Sequence, residues 1–486
     1  MAEEGAPMSG DARLKALTVS CGDLSPGFSS GRTAYTGWAA HSMDAVAITP
    51  TASAATAAIT VNGLPSASGH ASAPVAIEPG RNLLTVEVTA PDGQAKQTYT
   101  VKIFRAFPTP NWVQVRDTSP WLPRDSEGEL VFDGKMWLFG GYTPAVINDV
   151  WCSSDGVDWT NMGSIPNDSG VNIPVNFVYG GTMWVATNDG SLYNSPNGAD
   201  WTLVTGHAPW SGRYAAGGAV FADRMWVMGG LKDGALFNDI WSSTDGVNWT
   251  LERDNAPWSR RQVFGMVAVH DNALWLMGGG ITHYHPFKAY RDVWKSSDGR
   301  NWTKVTDEAP WDARIWGASA AYRNRLWVLG GFRSEPVWEN LGRVWYSHDG
   351  ADWHELVTED IWSPRHELSA YVFEGKLWVV AGNSWPLKND VWYLDLSGLV
   401  FLTQPVIEEF VTAQYTYAAR ADFNAAGGKV RYRLVDGPEW LSVDAEAGLV
   451  RGTPNATGGY KVILEAFDDA GETARQTYTL HVLPLG

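Results

Sequence analysis

A thirteen-residue string that recurs along the middle of the chain constrains the fold more than any other feature. The string reads NDVWCSSDGVDWT at residues 148–160. Further copies, some degraded or incomplete, begin at residues 190, 238, 291, 342 and 389. The tryptophans near its end, Trp159, Trp201, Trp249, Trp302 and Trp353, lie 42, 48, 53 and 51 residues apart. A period of roughly 40–50 residues with four short strands per repeat is typical of β-propeller blades.

Each repeat contains the same four predicted strands. In the third repeat they are 215–221, 225–228, 239–242 and a strand that begins at Trp249. A glycine pair ends the second strand, and an Asp-Gly hairpin precedes the fourth. The glycine pair and the two tryptophan positions after it resemble the Kelch repeat, which builds the central domain of galactose oxidase. The S-x-D-G-x-x-W hairpin is also similar to the Asp box of sialidases. Both families mix enzymes with binding proteins, so the resemblance implies a fold without an activity.

We expect six blades, closed by a strand from the N-terminal side. The sixth repeat has three strands, at 367–373, 376–380 and 390–394, but 399–403 is a poor fourth strand. The tripeptide Asn111-Trp112-Val113 matches the fourth-strand motif and has no three strands before it. Because closed architectures protect strand edges, the sequence predicts that 111–115 completes the last blade. The propeller would then span 107–403.

The two ends of the chain predict β-sandwich domains. Residues 1–12 are predicted to be a disordered tail. From 13 to 106, short alternating runs such as LLTVEVTAPDG are separated by turn dipeptides, with a spacing that resembles the cadherin-like β-sandwich of bacterial surface proteins. Residues 404–486 contain Trp440-Leu441 and Gly452-Thr453-Pro454, a pattern that resembles the Putative Ig family, a dystroglycan-type cadherin-like domain. The sequence therefore predicts an all-β protein, a six-bladed Kelch-like β-propeller flanked by two β-sandwich domains.

Composition narrows the partners and the compartment. The formal net charge of −17 argues against nucleic acid and anionic membrane surfaces as partners. No stretch approaches the roughly 18 consecutive apolar residues of a membrane span, so membrane insertion is not expected. Cys21 and Cys152 fall in different predicted domains, which favours two free thiols over a disulfide. The N-terminal residues lack the apolar core of a signal peptide, so we expect a leader to be either removed or not needed.

The sequence offers little for metal-dependent catalysis. The resemblance to galactose oxidase would imply a copper ion held by tyrosines and histidines, with a tyrosine cross-linked to a cysteine. Cys152, however, occupies a position that Ser242, Lys295 and Tyr346 fill in other repeats, which predicts ordinary packing. His283 and His285 could begin a metal site, but no third ligand is apparent. We therefore expect no metal and no cofactor.

Sialidase chemistry would require an arginine cluster that binds a substrate carboxylate. Arginines do recur three residues after a loop tryptophan, at Arg124, Arg213, Arg261, Arg314 and Arg365. Planar guanidinium groups could form such a clamp. A residue present in five of six repeats is better explained by what the blades share. We expect each arginine to bond a neighbouring carbonyl group and each loop tryptophan to pack between blades.

Specific function is expected where the repeats differ, which is in the loops between second and third strands. These loops are longest at 280–291, 332–343 and 383–389. The candidate binding residues in them are Tyr284, His285, Tyr290, Phe332, Arg333, Trp338 and Trp385. Exposed aromatic side chains with a few polar groups are typical of carbohydrate platforms and protein interfaces. The alternative is that these rings fold back over the blades.

The sequence-based hypothesis is a non-enzymatic binding or adhesion protein outside the cell or on its surface. Its partner would be a glycan or a protein on the loop face of the propeller. Two alternatives stay open. One is a structural component of a phage virion, such as a fibre or decoration protein, which the missing leader favours. The other is a propeller enzyme that acts on glycans, either sialidase-like or oxidase-like.

Overall fold

The computed structural model describes residues 10–282, 285 and 287–485. These residues form strands, turns and loops with no α-helix, and hence no helical membrane span. The all-β fold class predicted from the repeats is thereby confirmed for this part of the chain. Two compact units are present, one formed by residues 110–398 with 423–427, the other by residues 10–109, 399–422 and 428–485.

The first unit contains six four-stranded antiparallel sheets, numbered here in chain order of their first strands. Sheet 1 consists of Gly128–Phe132, Lys135–Tyr142, Val146–Ser153 and Trp159–Ser164. Sheet 2 consists of Asn176–Tyr179, Thr182–Ala186, Leu192–Ser195 and Thr202–Thr205. Sheet 3 consists of Gly217–Phe221, Arg224–Met228, Ile240–Ser243 and Thr250–Arg253. Sheet 4 consists of Val267–His270, Ala273–Met277, Val293–Ser296 and Thr303–Thr306. Sheet 5 consists of Ala318–Tyr322, Arg325–Leu329, Val344–Ser347 and His354–Leu356. Sheet 6 consists of Ser369–Phe373, Lys376–Val380, Val391–Asp395 and Trp112–Arg116. Each sheet is a sequence-local meander except sheet 6, which combines strands from both ends of the unit.

The first strands of the six sheets lie next to one another in a cyclic series. Each contacts the first strand of the following sheet, and that of sheet 6 contacts that of sheet 1. Tryptophan packing repeats around the series. A loop tryptophan meets the hairpin tryptophan of its sheet edge to face in the pairs Trp121–Trp159, Trp210–Trp249, Trp258–Trp302 and Trp311–Trp353. In sheet 6, Trp112 takes the place of the hairpin tryptophan and meets Trp362 at 6.0 Å between ring centroids.

Hairpin glycines provide the contact between successive sheets. Gly156 has a φ of +76°, and a Cβ atom there would collide with the ring of Trp378 in sheet 6. The same contact joins Gly198 to Trp137, Gly246 to Trp184, Gly299 to Trp226 and Gly350 to Trp275. Sheet 6 has no Asp-Gly hairpin between its third and fourth strands, so Trp327 of sheet 5 is covered instead by Phe423, whose ring stacks at 5.7 Å. Glycine is required in the hairpin because only hydrogen fits beneath the neighbouring indole.

The recurring arginines bond carbonyl groups, as expected. Arg124 donates to the carbonyl oxygen of Gly140 and to both carboxylate oxygens of Asp149, at 2.6, 2.7 and 2.9 Å. The indole of Trp151 donates to the same carboxylate at 2.7 Å. Equivalent arginine–aspartate pairs are Arg213–Asp239, Arg261–Asp292 and Arg365–Asp390. Each pair ties a loop to the third strand of its sheet, which is a structural role.

The second unit combines an N-terminal part and a C-terminal part. Its N-terminal part has a five-stranded sheet in the order Ala34–Ala39, Lys96–Arg105, Gly80–Thr89, Ala58–Val61 and Leu64–Ser66, together with the pairs Leu14–Val19 with Ile48–Ala52 and Ala45–Val46 with Val75–Ala76. Its C-terminal part has a four-stranded sheet of Glu408–Phe410, Thr473–Leu483, Gly458–Phe467 and Arg431–Asp436, a three-stranded sheet of Tyr415–Ala418, Leu449–Gly452 and Leu441–Val443, and the pair Val400–Phe401 with Ala421–Asp422. Residues 400–401 thus pair within the C-terminal part, although the sequence boundary was expected at 403.

Candidate functional site

Seven aromatic rings from three adjacent sheets form one cluster, called here the aromatic cluster. Its members are His285, Phe287, Trp316, Phe332, Trp338, His366 and Trp385. Neighbouring ring centroids lie between 4.3 and 6.2 Å apart. The rings belong to the long loops of sheets 4, 5 and 6 and to the segments that lead into the first strands of sheets 5 and 6.

Phe332 is the buried centre of the aromatic cluster, and two tryptophans stand at its edges. The ring of Phe332 is 0% exposed, whereas Trp338 and Trp385 are 54% and 53% exposed. Trp338 meets Phe332 at 4.8 Å and Trp385 meets it at 5.7 Å, both edge to face. Phe332 was expected to be a contact residue, but its burial makes it the floor of the cluster. The two tryptophans present indole surface that a flat apolar ligand face can cover.

A short hairpin holds Trp338 in place. It pairs Phe332–Arg333 with Glu339–Asn340. Arg333 donates to Asp312 at 2.7 Å and forms a second ion pair with Glu339. The guanidinium group of Arg333 is therefore engaged within the protein, and its contribution to a binding surface is to fix the hairpin.

The other candidate residues lie apart from the aromatic cluster or outside the described ranges. Tyr290 is half-buried, and the guanidinium carbon of Arg261 lies 3.8 Å from its ring centroid. Among the described rings it contacts none of the cluster. Tyr284 and His283 lie outside the described residues. Four of the seven sequence-predicted residues, His285, Phe332, Trp338 and Trp385, are thus brought together.

Four carboxyl groups, three buried and one half-buried, form a second cluster next to the aromatic one, called here the acidic cluster. It consists of Asp125, Glu127, Glu129 and Glu367. The hydroxyl oxygen of Ser126 lies within hydrogen-bond distance of both Asp125 and Glu367, at 3.0 and 2.6 Å, and Asn383 donates to Asp125 at 2.9 Å. Ser369 donates to Glu127 at 2.8 Å. Within the described part of the chain, no lysine or arginine forms an ion pair with these carboxyl groups.

Burial changes the protonation of the acidic cluster. It raises the pKa of Glu129 to about 8 and holds the pKa of Glu127 well above its ordinary value. Burial, followed by the nearby Asp125 carboxyl, also raises the pKa of Glu367. Glu129 is half-buried because it borders a cavity of about 90 Å³ lined by the first strands of the sheets. Perturbed carboxyl groups of this kind are frequent at functional sites, although structural networks also produce them.

One recurring backbone position, two residues after the repeat arginine, contributes residues to both clusters. Ser126, Ala215, Trp316 and Glu367 occupy it, each with a φ between +49° and +63°. The amide of Ser126 donates to the carbonyl of Glu367, and the amide of Glu367 donates to that of Trp316. These bonds link consecutive sheets where their first strands begin, so the side chains at this position converge.

His366 joins the two clusters. Its ring is 5% exposed, and its centroid lies 5.4 Å from Trp316 and 5.2 Å from Trp385. Its Nδ1 atom lies 2.6 Å from Oδ1 of Asn340. Burial lowers the pKa of His366 to about 4, so the imidazole is neutral at pH 7. Ligand atoms of Asp125, His366 and Glu367 all lie within 4.8 Å of one another.

Asp125, His366 and Glu367 are a set of three possible metal ligands that the sequence analysis did not find. The expectation of no metal rested on spacing along the chain, and Asp125 and His366 are too far apart in sequence for spacing to relate them. A signal was nevertheless present. Large or charged residues, Trp316 and Glu367, occupy a repeat position that holds serine, alanine or valine in sheets 1, 3 and 4. The rule that function lies where repeats differ applies to this position as well as to the long loops.

Comparison with known proteins supports the two flanking domains. Residues 14–106 match the family described as "Cadherin-like beta sandwich domain", and residues 400–483 match the one described as "Putative Ig domain". These matches confirm both sandwich resemblances. Domains of these two types are typical of extracellular or surface proteins.

Similarity to individual proteins is limited. A protein of Evansella cellulosilytica described as "Putative membrane protein" is 29% identical over 119 residues, which is 24% of this chain and 18% of the relative. The chain therefore matches less than a fifth of that relative's length. A solved structure titled "Structure of YjhT" aligns over 57% of this chain and 96% of its own, with 13% identity and a TM-score of 0.47.

Proposed function

We propose that this chain is a non-enzymatic binding protein, located outside the cell or on its surface, and that the aromatic cluster binds a carbohydrate. The observation that carries the proposal is the pair Trp338 and Trp385. Each has more than half of its surface exposed, and both are held against the buried ring of Phe332. Large aromatic side chains are highly buried on average, so two exposed indoles in one packed cluster favour a ligand that covers them.

The proposed scaffold is a six-bladed Kelch-like propeller. Two features support it, the cyclic series of first strands and the mixed origin of sheet 6. In a propeller, loops between second and third strands share a face with the segments between blades. The ring contacts of Phe332 with Trp316 and of Trp385 with His366 each join one class of segment to the other, which agrees with this arrangement.

Carbohydrate is the ligand class that the chemistry of the cluster fits best. Sugar rings present a flat apolar face of C–H groups and a rim of hydroxyls, and indole faces stack against such surfaces. Trp338 and Trp385 are packed against the buried ring of Phe332, which restricts their side chains before a ligand binds and so reduces the entropy lost on binding. The flanking cadherin-like and Ig-like domains support an extracellular or surface location.

The test is a panel of immobilised glycans probed with the intact protein. The variant Trp338→Ala/Trp385→Ala removes the exposed indoles, and Trp38→Ala removes an indole that is 69% exposed in the N-terminal domain. We expect the wild type and Trp38→Ala to bind the same glycans and the double variant to lose them. Binding that the double variant retains, or a wild type that binds no glycan and instead captures a protein, would overturn the carbohydrate proposal.

A further inference from the structure

We propose that Asp125, His366 and Glu367 form a binding site for one divalent first-row transition metal ion, of the Mn²⁺ or Zn²⁺ type. The donor set is one imidazole nitrogen and two carboxylates, which these ions accept. Their ligand atoms already lie within 4.8 Å of one another. Two atoms that each bond one ion at about 2.1 Å are separated by at most about 4.2 Å, so a small side-chain movement completes the site. This inference is independent of the carbohydrate proposal.

The tautomer of His366 is the first supporting observation. The amide nitrogen of Asn340 donates to the backbone carbonyl of Asn383 at 2.9 Å, which fixes the orientation of the Asn340 amide. Its oxygen therefore faces His366, and Nδ1 of His366 must donate the hydrogen bond between them. The proton is then on Nδ1, and Nε2 carries a lone pair. Histidines that bind metals are commonly oriented in this way, by a hydrogen bond from the other ring nitrogen.

The second observation is a carboxylate oxygen without a partner. Oε2 of Glu127 is buried and has no hydrogen bond, although Glu127 is 1% exposed. Leaving a buried polar atom unpaired is costly, and such an atom requires an explanation. The Glu127 carboxyl interacts electrostatically with Asp125 and Glu367. In the described residues no lysine or arginine forms an ion pair with these carboxyl groups, so a bound cation would supply the positive charge that their ionised forms need.

Metal binding is tested on the full chain after dialysis against EDTA. Mn²⁺ binding is followed by electron paramagnetic resonance and Zn²⁺ binding by calorimetry. We expect one ion per chain. Asp125→Asn and His366→Gln should each weaken binding at least tenfold, and Asn340→Ala, which removes the orienting oxygen, by about 10–100-fold. His270→Gln is the matched control, since His270 is also buried but lies in sheet 4.

Each outcome decides the proposal. Failure of the wild type to bind either ion at millimolar concentration would overturn it, as would tight binding that folded Asp125→Asn and His366→Gln retain. If those variants do not fold, the wild type still gives an answer, because Mn²⁺ bound to an imidazole shows nitrogen coupling in pulsed resonance. Bound Mn²⁺ without nitrogen coupling would exclude His366 as a ligand.

Discussion

Among single residues, Arg314 is the repeat arginine whose sheet has no aspartate to pair with it. In sheets 1, 3, 4 and 6, an aspartate accepts hydrogen bonds from the repeat arginine and from the third-strand tryptophan. Sheet 5 has Arg343 at the aspartate position. Arg314 is 0% exposed, and both its Nη2 atom and Nε1 of Trp345 are buried without partners. Burial lowers the pKa of Arg314 to about 10.

We expect Arg343→Asp to stabilise the protein. The new carboxylate would accept bonds from Arg314 and Trp345, as Asp149 does from Arg124 and Trp151. Hydrogen bonds to charged groups contribute about 1.5–3 kcal/mol, and the lost contact of Arg343 with Glu355 is exposed and long, at 3.7 Å. Urea unfolding measures the gain, with Arg343→Ala as the control that removes the cation alone. Equal stability of the two variants would contradict this explanation.

The acidic cluster predicts a pH dependence of stability for the metal-free protein. Glu129 has a pKa raised above its unfolded value of about 4.5, so its protonated form stabilises the fold at low pH. That contribution is lost as pH rises from about 4.5 through about 8. Glu127 and Tyr371 are the titratable groups that interact with it, and a negative charge on Glu129 raises the pKa of both.

The substitution Glu129→Gln should therefore stabilise the fold by an amount that increases as pH rises. Melting temperatures in EDTA should show little difference between the variant and the wild type near pH 5 and a higher value for the variant near pH 8. Glu87→Gln, an exposed carboxyl paired with Lys96, is the control and should show no such trend. A difference that stays constant between pH 5 and 8 would mean that Glu129 does not titrate in this range.

At the scale of elements, the strand Trp112–Arg116 explains how sheet 6 is completed. Trp112 pairs with Leu394 and Val113 with Tyr393, and the Trp112 side chain is 2% exposed. Deleting residues 1–115 should unfold the first unit, whereas deleting residues 1–105 should leave it folded, because the longer deletion exposes a sheet edge and removes a buried indole. Loss of the tryptophan alone is worth about 3–5 kcal/mol. Thermal melting distinguishes the two truncations, and equal melting temperatures would contradict the closure.

Repeat spacing predicted the strands well because each sheet except the last is local in sequence. The strand expected at 225–228 appears as Arg224–Met228, and the one expected at 376–380 appears as Lys376–Val380. Residues 423–427 were assigned to the C-terminal domain, yet they belong to the compact unit of the sheets. The sequence around residues 423–427 gave no sign of this. Phe423 packs on the ring of Trp327, which lies about 100 positions earlier in the chain.

The candidate site was predictable only where it depends on residues that are local in sequence. Trp338 and Trp385 lie in the loops between second and third strands, where the repeats differ in length and sequence, so comparison of repeats found them. The acidic cluster depends on contacts between sheet 1 and sheet 6, which are at opposite ends of the repeat series. Ser126 and Glu367 meet because the first strands of these two sheets are adjacent. Repeat spacing along the chain does not indicate which residues of sheets 1 and 6 come into contact.

At the scale of the whole molecule, two sandwich domains of surface-protein type accompany a unit whose aromatic cluster faces solvent. The tryptophans of this unit divide into two classes. Trp249 recurs in the repeats and packs against Trp210 at 5.0 Å between centroids, whereas Trp338 occurs in one loop and is 54% exposed. The first class should contribute to stability and the second to binding. Trp249→Ala should accordingly lower the free energy of unfolding by about 3 kcal/mol, while Trp338→Ala should change it little.

The carbohydrate proposal is tested most directly by the affinity of Trp338→Ala for the glycan that the wild type binds best, measured by calorimetry at 25 °C. Removing an indole that stacks on a sugar should weaken binding by about 1–3 kcal/mol, which is roughly 5- to 150-fold in the dissociation constant. The melting temperature of the same sample should stay close to that of the wild type. An unchanged dissociation constant in a folded variant would contradict a binding role for Trp338, as would a loss of stability equal to that of Trp249→Ala.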